Sequence, residues 1–142
     1  MAIYDKSNLK DVEVSVKFKP VSGKVDKAAG VVLRYRDENT YYIARANANE
    51  DNVVLYKVEG GKRISLAPKG TPSNTYGVKH KVPAGAWSTL RVTFRGSLFT
   101  VYINDEKLFE LEDTTFSQAG KVGLWTKADS VTYFDDFTIE SK

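Results

Sequence analysis

Seven residues with side chains suited to a polyhydroxylated ligand fall into two stretches of the chain. Aromatic faces stack on the C–H groups of a sugar ring, and planar polar side chains bind its vicinal hydroxyls. A guanidinium can also bind a carboxylate or sulfate group in a bidentate manner. The candidate ligand-binding residues are Arg34, Arg36, Tyr41, Arg45, Asn47, Trp125 and Lys127.

Alternation of apolar and polar residues predicts which way these side chains point. In residues 30–36 the odd-numbered apolar residues, Tyr35 among them, are predicted to face the core and Arg34 to face outward. In residues 41–47 the even-numbered residues are predicted to face the core and Arg45 to face outward. The outward faces of these two segments would therefore carry the arginines together.

A structural role for the same residues is the alternative. Trp125 and Tyr41 would then cover the core, and the arginines would pair with acidic residues of the neighbouring turns. Three clustered guanidinium groups repel one another, so either a ligand or such pairing must offset the repulsion. The candidate acidic partners are Asp37, Glu38 and Asp51.

Groups for catalysis are sparse. Glu110 and Glu112 place two carboxylates on one face of a predicted strand. His80 is the single histidine, and no acidic partner for it is visible in the sequence, so we expect neither a nucleophilic triad nor a histidine-rich metal site. We expect no catalytic residue.

Two adjacent carboxylates lie in an aromatic run near the C-terminal end. Successive residues of a strand point to opposite faces, so either Asp135 or Asp136 points to the interior or the pair lies at a bulge. A buried carboxylate requires a partner, and capping of backbone N–H groups is the favoured role.

Composition predicts a small globular protein. The 142 residues suit one domain over residues 1–142. The net charge of +3 comes from 21 basic and 18 acidic residues scattered along the chain, so we expect no nucleic-acid partner. The absence of cysteine excludes disulfides and thiolate metal sites.

Targeting signals are also missing from the sequence given. No stretch approaches the ~20 apolar residues of a membrane-spanning helix, so we expect no membrane insertion. Residues 1–4 lack the basic start and apolar run of a signal peptide, so the protein is either cytoplasmic or begins after a removed signal.

Alternating segments along the whole chain predict an all-β fold. Residues 12–18 are an example, with Val12, Val14, Val16 and Phe18 on one face and polar residues on the other. Roughly a dozen such segments, spaced by about 8 to 12 residues, are typical of a sandwich or barrel of antiparallel strands. The one candidate for a helical turn is residues 114–118.

Five segments resemble motifs of one superfamily, in the same order along the chain. The resemblance is to the concanavalin A-like lectin/glucanase superfamily, and within it to laminin-G-like and 3-keto-disaccharide hydrolase-type domains of exported bacterial proteins. The segments are residues 30–42 (GVVLRYRDENTYY), 87–92 (WSTLRV), 99–107 (FTVYINDEK), 120–125 (GKVGLW) and 134–137 (FDDF).

This resemblance implies a jelly-roll sandwich of two antiparallel sheets, and a secreted or periplasmic protein. It also implies that the 30–47 hairpin and the strand bearing Trp125 are neighbours in the concave sheet. A structural calcium ion is often present on the convex side of such domains, and Asp136 is the candidate ligand here. Calcium requires about 6 to 8 oxygen ligands.

Three functions follow from the resemblance and the residues. We favour a non-catalytic, lectin-like carbohydrate-binding module with its glycan on the concave face. A glycoside or 3-keto-glycoside hydrolase-type enzyme is the second, although Glu110 and Glu112 lack the third acid of the E-x-D-x-E motif of related glucanases. A structural or protein-interaction domain is the third.

Overall fold

The computed structural model describes residues 1–22, 27–126 and 131–141, and within these ranges the regular elements are all strands. None of the described elements is a helix that could span a membrane. The strands are β1 (Ala2–Leu9), β2 (Val12–Ser22), β3 (Ala28–Asp37), β4 (Thr40–Asn47), β5 (Asn52–Glu59), β6 (Lys62–Leu66), β7 (Val78–Lys79), β8 (Ser88–Arg95), β9 (Leu98–Ile103), β10 (Glu106–Glu112), β11 (Gly120–Thr126) and β12 (Val131–Ser141).

The strands form two antiparallel sheets. The larger sheet has the order β1-β11-β3-β4-β5-β6, with β7 paired to β5, and the smaller sheet has the order β10-β9-β8-β2-β12. The predicted two-sheet antiparallel sandwich is therefore confirmed. Long-range pairing places β11, from the C-terminal end of the chain, directly beside β3.

The core lies between the two sheets and follows the predicted alternation. The four apolar residues of β2, from Val12 to Phe18, are fully buried, and the intervening Lys17 is exposed. Each such burial contributes roughly 1.5 to 3 kcal/mol relative to exposure. From β3 and β4, Leu33 and Tyr42 belong to the same buried cluster.

A bulge in β3 interrupts this alternation. Arg34 has a φ of 47°, and the pairing of β3 shifts register on both sides, against β4 after Leu33 and against β11 before Gly123. A bulge inserts one unpaired residue, so the residues after it change face. Gly120 of β11 permits the bulge, because a Cβ there would lie 2.5 Å from the carbonyl carbon of Arg34.

Residues 114–118 form an irregular segment rather than the predicted helical turn. The segment packs through Phe116, which is buried against the ring of Tyr42, with 4.9 Å between the ring centroids. The Phe116 N–H donates to the Tyr42 hydroxyl, which itself donates to Asp113 over 2.6 Å. Tertiary contacts therefore take the place of helical hydrogen bonds here.

Candidate functional site

The outer face of the larger sheet, which is the side turned away from the core, carries a second apolar cluster. Half-buried Ile3, Tyr35 and Trp125 pack against its buried members. The buried members are Val32, Tyr41, Ile43, Val54, Tyr56 and Val58. An aromatic-rich apolar surface on the solvent side of a sheet is a candidate ligand site.

Strand register brings Trp125 and Arg45 into one row of this outer face. Trp125 of β11 lies opposite Gly30 of β3, and Gly30 lies opposite Arg45 of β4. Two strand spacings of about 4.8 Å separate the two side chains. Gly30 has no side chain, and a Cβ there would lie 3.0 Å from the Ile43 side chain, so Ile43 provides an apolar floor between the indole and the guanidinium.

Arg45 is a buried charged group of this face, and its side chain is only 3% exposed. Its Nη2 donates to Glu50 over 3.3 Å and to the Tyr76 hydroxyl over 3.1 Å. Its guanidinium carbon lies 5.3 Å from the centroid of the Tyr56 ring. Its Nε is buried and has no hydrogen-bond partner among the described residues. Buried N–H groups are rarely left unpaired.

The loop between β6 and β7 covers part of the outer face. Its Tyr76 hydroxyl hydrogen-bonds that of Tyr56, and the two rings meet edge to face at 5.9 Å. Gly77 holds the loop against β5, because its φ is 62° and a Cβ there would lie 2.3 Å from the Val53 carbonyl oxygen. Tyr76 itself stays 47% exposed and offers a ring to solvent.

A pair of tyrosines lies further along the same face. Tyr35 and Tyr41 have ring centroids 5.8 Å apart, and burial raises the pKa of Tyr41. The prediction that Tyr35 faces the core is wrong, because the bulge at Arg34 turns it to the outer face. Sequence analysis also missed Tyr76, because it lies in a loop that has no periodic pattern.

The predicted outward position of Arg34 is wrong as well. Its side chain is 1% exposed and extends into the sandwich, where it donates to the carbonyls of Phe116, Gly96 and Lys10. The positive φ of Arg34 at the bulge turns its side chain toward the core. Arg34 therefore has no access to a ligand on the outer face.

The remaining predicted residues are dispersed. Arg36 is exposed and donates to the Gln118 side chain. It lies six residues after Gly30, which is about 20 Å along β3. Asn47 is buried, and its Oδ1 accepts the N–H groups of Asn49 and Glu50, so its carbonyl oxygen caps the β4–β5 turn. Lys127 lies outside the described residues.

The acidic partners suggested for the arginines also differ from those observed. Arg45 pairs with Glu50, whereas Asp51 pairs with Lys81 over 3.5 Å. Arg34 has the Asp11 carboxylate at 3.8 Å.

Asp135 and Asp136 lie at a bulge of β12, one of the two arrangements predicted for them. Asp136 has a φ of 50°, and the pairing with β2 shifts register after Asp135. The Asp136 carboxylate lies 3.0 Å from the Lys17 ammonium, and both side chains are exposed. No group of three acidic or histidine side chains that could hold a metal occurs in the described ranges. The Asp136 carboxylate is thus paired with an ammonium at the bulge, and a calcium ion at Asp136 stays a prediction.

The acidic groups considered for catalysis lie away from Arg45. Glu110 of β10 belongs to the smaller sheet and accepts a hydrogen bond from Lys107 over 3.2 Å. His80 has Glu106 at 3.6 Å, an acidic neighbour that the sequence did not indicate. On the outer face, the Glu50 carboxylate is occupied by Arg45 and by Asn52, which donates over 3.0 Å.

Comparison with solved structures shows the fold. The carbohydrate binding module CBM66 from Bacillus subtilis is similar with a TM-score of 0.80 and 23% identity, over 96% of this chain and 78% of that chain. Chicken galectin 2 is similar with a TM-score of 0.66 and 14% identity, over 99% of this chain and 98% of that chain. A GH43 protein from Bacillus licheniformis is similar with a TM-score of 0.65 and 16% identity, over 94% of this chain and 28% of that chain.

Comparison of the sequence with family models is more specific. No curated protein matches the sequence significantly. The model of the 3-keto-alpha-glucoside-1,2-lyase-like domain matches residues 1–140, which confirms the resemblance drawn from the five sequence segments. The chain therefore belongs to the family of 3-keto-alpha-glucoside-1,2-lyase-like domains, on a jelly-roll fold that it shares with a carbohydrate-binding module and galectins.

Proposed function

We propose that this chain is a non-catalytic carbohydrate-binding module whose ligand binds the outer face of the larger sheet. The observation that supports it is the row formed by Trp125 and Arg45, with the apolar Ile43 side chain between them. A sugar ring has one apolar face for the indole and hydroxyls for the guanidinium, so this row suits a glycan.

Aromatic rings with accessible surface surround this row. Trp125 and Tyr35 are half-buried, and Tyr76 is exposed. Trp125 and Tyr35 pack on the apolar cluster, and Tyr76 contacts the Tyr56 ring of that cluster, so the three rings have less side-chain entropy to lose on binding. The rings are therefore ordered for stacking before a ligand arrives, and such preorganisation favours binding.

Cationic groups on the same face suggest which glycans bind best. Arg63 is exposed, and its guanidinium carbon lies 4.8 Å from the centroid of the Tyr56 ring. Arg45 has a buried Nε–H without a partner among the described residues, so a ligand oxygen that displaces the side chains covering it would gain a hydrogen bond. These donors favour a carboxylated or sulfated glycan.

The fold comparison supports the same proposal at a coarser level. CBM66 is named as a carbohydrate binding module, and it covers almost the whole of this chain. The family model, in contrast, carries the name of a lyase-like domain, and it favours an enzyme acting on keto-glycosides as the second candidate. Glu50 is the carboxylate nearest Arg45 among the described residues, and it would be the residue to test for that activity.

A glycan array with Trp125→Ala tests the binding module. Loss of most of the signal is expected, because stacking on one aromatic residue contributes on the order of 1 kcal/mol beyond the buried area. Tyr102→Ala is the matched control, since Tyr102 lies under Arg91 on the smaller sheet. Equal binding of carboxylated and sulfated glycans by wild type and Trp125→Ala would exclude this face as the site.

Turnover of glycosides and 3-keto-glycosides by the wild type, abolished by Glu50→Gln, would instead support the enzyme. Neither binding nor turnover, together with self-association in solution, would support a structural or protein-interaction domain.

A further inference from the structure

The outer face of the smaller sheet, which is its side turned away from the core, carries a separate cavity of about 380 Å³. Lys17 of β2 lies opposite Thr89 of β8 on one side and opposite Asp135 of β12 on the other. Val16 and Phe18, which flank Lys17 in sequence, are fully buried, so the row of Lys17 points to solvent. The lining residues are Lys17, Trp87, Ser88, Thr89, Asn104 and Asp135.

Trp87 provides the aromatic wall of this cavity. It is 47% exposed, which is unusual for the largest aromatic side chain in a small domain. The backbone holds it on both sides, because the Gly85 N–H donates to Pro20 over 2.7 Å and the Thr89 N–H donates to Asn104 Oδ1 over 2.8 Å. The hydrogen-bonded backbone on both sides therefore holds the Trp87 indole at the cavity, and the indole stays largely accessible to a ligand.

Hydrogen-bond donors and acceptors line the other walls of the cavity. The Lys17 ammonium has an elevated pKa because of its hydrogen bond to Asp136, so it remains a charged donor. One oxygen of Asp135 accepts the Asp136 N–H over 2.8 Å, which leaves the second oxygen as an acceptor.

These groups indicate the chemistry of the ligand. An indole with adjacent donors and acceptors suits the apolar face and the hydroxyls of a sugar. One lysine against two aspartates gives these three side chains a net charge of −1, so an anionic ligand is disfavoured. The volume lies within the range of small-ligand sites.

We propose that this cavity is a second carbohydrate site, which takes a neutral sugar by stacking on Trp87. The Lys17 ammonium donates to a sugar hydroxyl, and the Asp135 carboxylate accepts from another. This site lies on the opposite sheet from Arg45 and does not depend on the outer face of the larger sheet. The chain would then bind two glycan segments, one on each sheet.

NMR titration can follow the two faces separately, because the chain has two tryptophans, Trp87 and Trp125. The probes are methyl glucoside, methyl galactoside and methyl mannoside, with glucuronate as the anionic comparison. At least one neutral probe is expected to shift the Trp87 indole signal, and to do so equally in Trp125→Ala. Glucuronate should shift the Trp87 signal less.

Variants of the cavity complete the test. Lys17→Met should weaken the neutral probe about tenfold or more, since a hydrogen bond from a charged donor is lost. Lys107→Met is the matched control, because Lys107 is equally exposed on the same sheet and pairs with Glu110. An unshifted Trp87 signal with all three neutral probes would overturn the second site. An unshifted Trp125 signal with every glycan would count only against the site at Arg45.

Discussion

The guanidinium carbon of Arg34 lies 3.7 Å from the centroid of the Phe94 ring, inside the sandwich. The same guanidinium donates to the carbonyls of Lys10, Gly96 and Phe116, which belong to three separate connecting segments. One buried cation thereby fixes the β1–β2 connection, the β8–β9 turn and the 113–119 segment at the same end of the sandwich.

Replacement of Arg34 by methionine should destabilise the protein severely. The three carbonyls would lose a charged donor, which contributes about 1.5 to 3 kcal/mol per hydrogen bond, and the Phe116 carbonyl would be left buried without a partner. We expect the free energy of unfolding to fall by about 3 to 5 kcal/mol, measured by urea denaturation.

Arg36→Met is the matched control for Arg34→Met. Arg36 is exposed and donates to one side chain, so its loss should cost less than about 1 kcal/mol. Similar losses of stability in the two variants would contradict the structural role of Arg34.

The Tyr42 hydroxyl should contribute measurably to stability. It donates to Asp113 and accepts the N–H of Phe116, so Tyr42→Phe leaves that N–H unpaired in the core. The expected cost is about 1 to 3 kcal/mol. Tyr102→Phe, on the exposed side of the smaller sheet, should cost far less in the same denaturation experiment.

Alkaline pH should destabilise the protein through the same residue. Burial is the main cause that raises the pKa of Tyr42, and of Tyr56, above the ordinary value of 10.0. The folded protein then keeps its phenolic protons where the unfolded chain loses them. The contribution of these two tyrosines to the free energy of unfolding should therefore be constant up to pH about 10 and fall above it.

Tyr42→Phe removes one of these two groups, so its stability should fall less steeply between about pH 10 and 11. Urea midpoints measured across this range check the slope. A variant as steep as the wild type would show that Tyr42 does not titrate differently on folding.

Tyr76→Phe should weaken glycan binding on the larger sheet without unfolding the protein. The Tyr76 hydroxyl accepts a hydrogen bond from Arg45 and forms another with the Tyr56 hydroxyl. Without these hydrogen bonds, the half-exposed ring at position 76 would be less ordered. An entropy cost of ordering such a side chain, about 0.5 to 1.5 kcal/mol, corresponds to a two- to tenfold loss of affinity. Affinity electrophoresis in a glycan-containing gel would measure it, and tighter binding would contradict this role.

The sequence predicted the fold well where alternation is regular. In β2, Val12, Val14, Val16 and Phe18 are buried as predicted, because period-2 burial requires only a straight strand packed on one side. Alternation fails after Leu33, since the bulge at Arg34 depends on the close approach of Gly120 from a distant strand. A single strand's sequence has no signal for such a tertiary contact.

The candidate site was predicted in part for the same reason. Trp125 and Arg45 share a face, which required the pairing of β11 with β3, and that pairing came from the family resemblance and not from local pattern. The turn-capping contacts of Asn47 could not be predicted, because a buried asparagine that caps a turn has the same sequence pattern as one that binds a ligand.

Calcium should leave the stability of the protein unchanged. Lys17 occupies the Asp136 carboxylate, and the two aspartates of the bulge offer far fewer than the 6 to 8 or so oxygens that calcium requires. A site saturated at about one hundred times its Kd would raise the free energy of unfolding by about 2.7 kcal/mol. Thermal unfolding in calcium and in EDTA should therefore give the same midpoint.

Asp136→Asn distinguishes the effect of the Lys17–Asp136 ion pair on stability from the effect of a bound calcium ion. Both side chains of the pair are exposed, so the variant should lose at most about 1 kcal/mol, as should Asp5→Asn, which breaks the similarly exposed pair with Lys121. A midpoint that rises with calcium in the wild type and in Asp5→Asn, but not in Asp136→Asn, would instead place a calcium ion at the bulge. Lys17 would then have to release the carboxylate, because an ammonium 3.0 Å away repels the incoming cation.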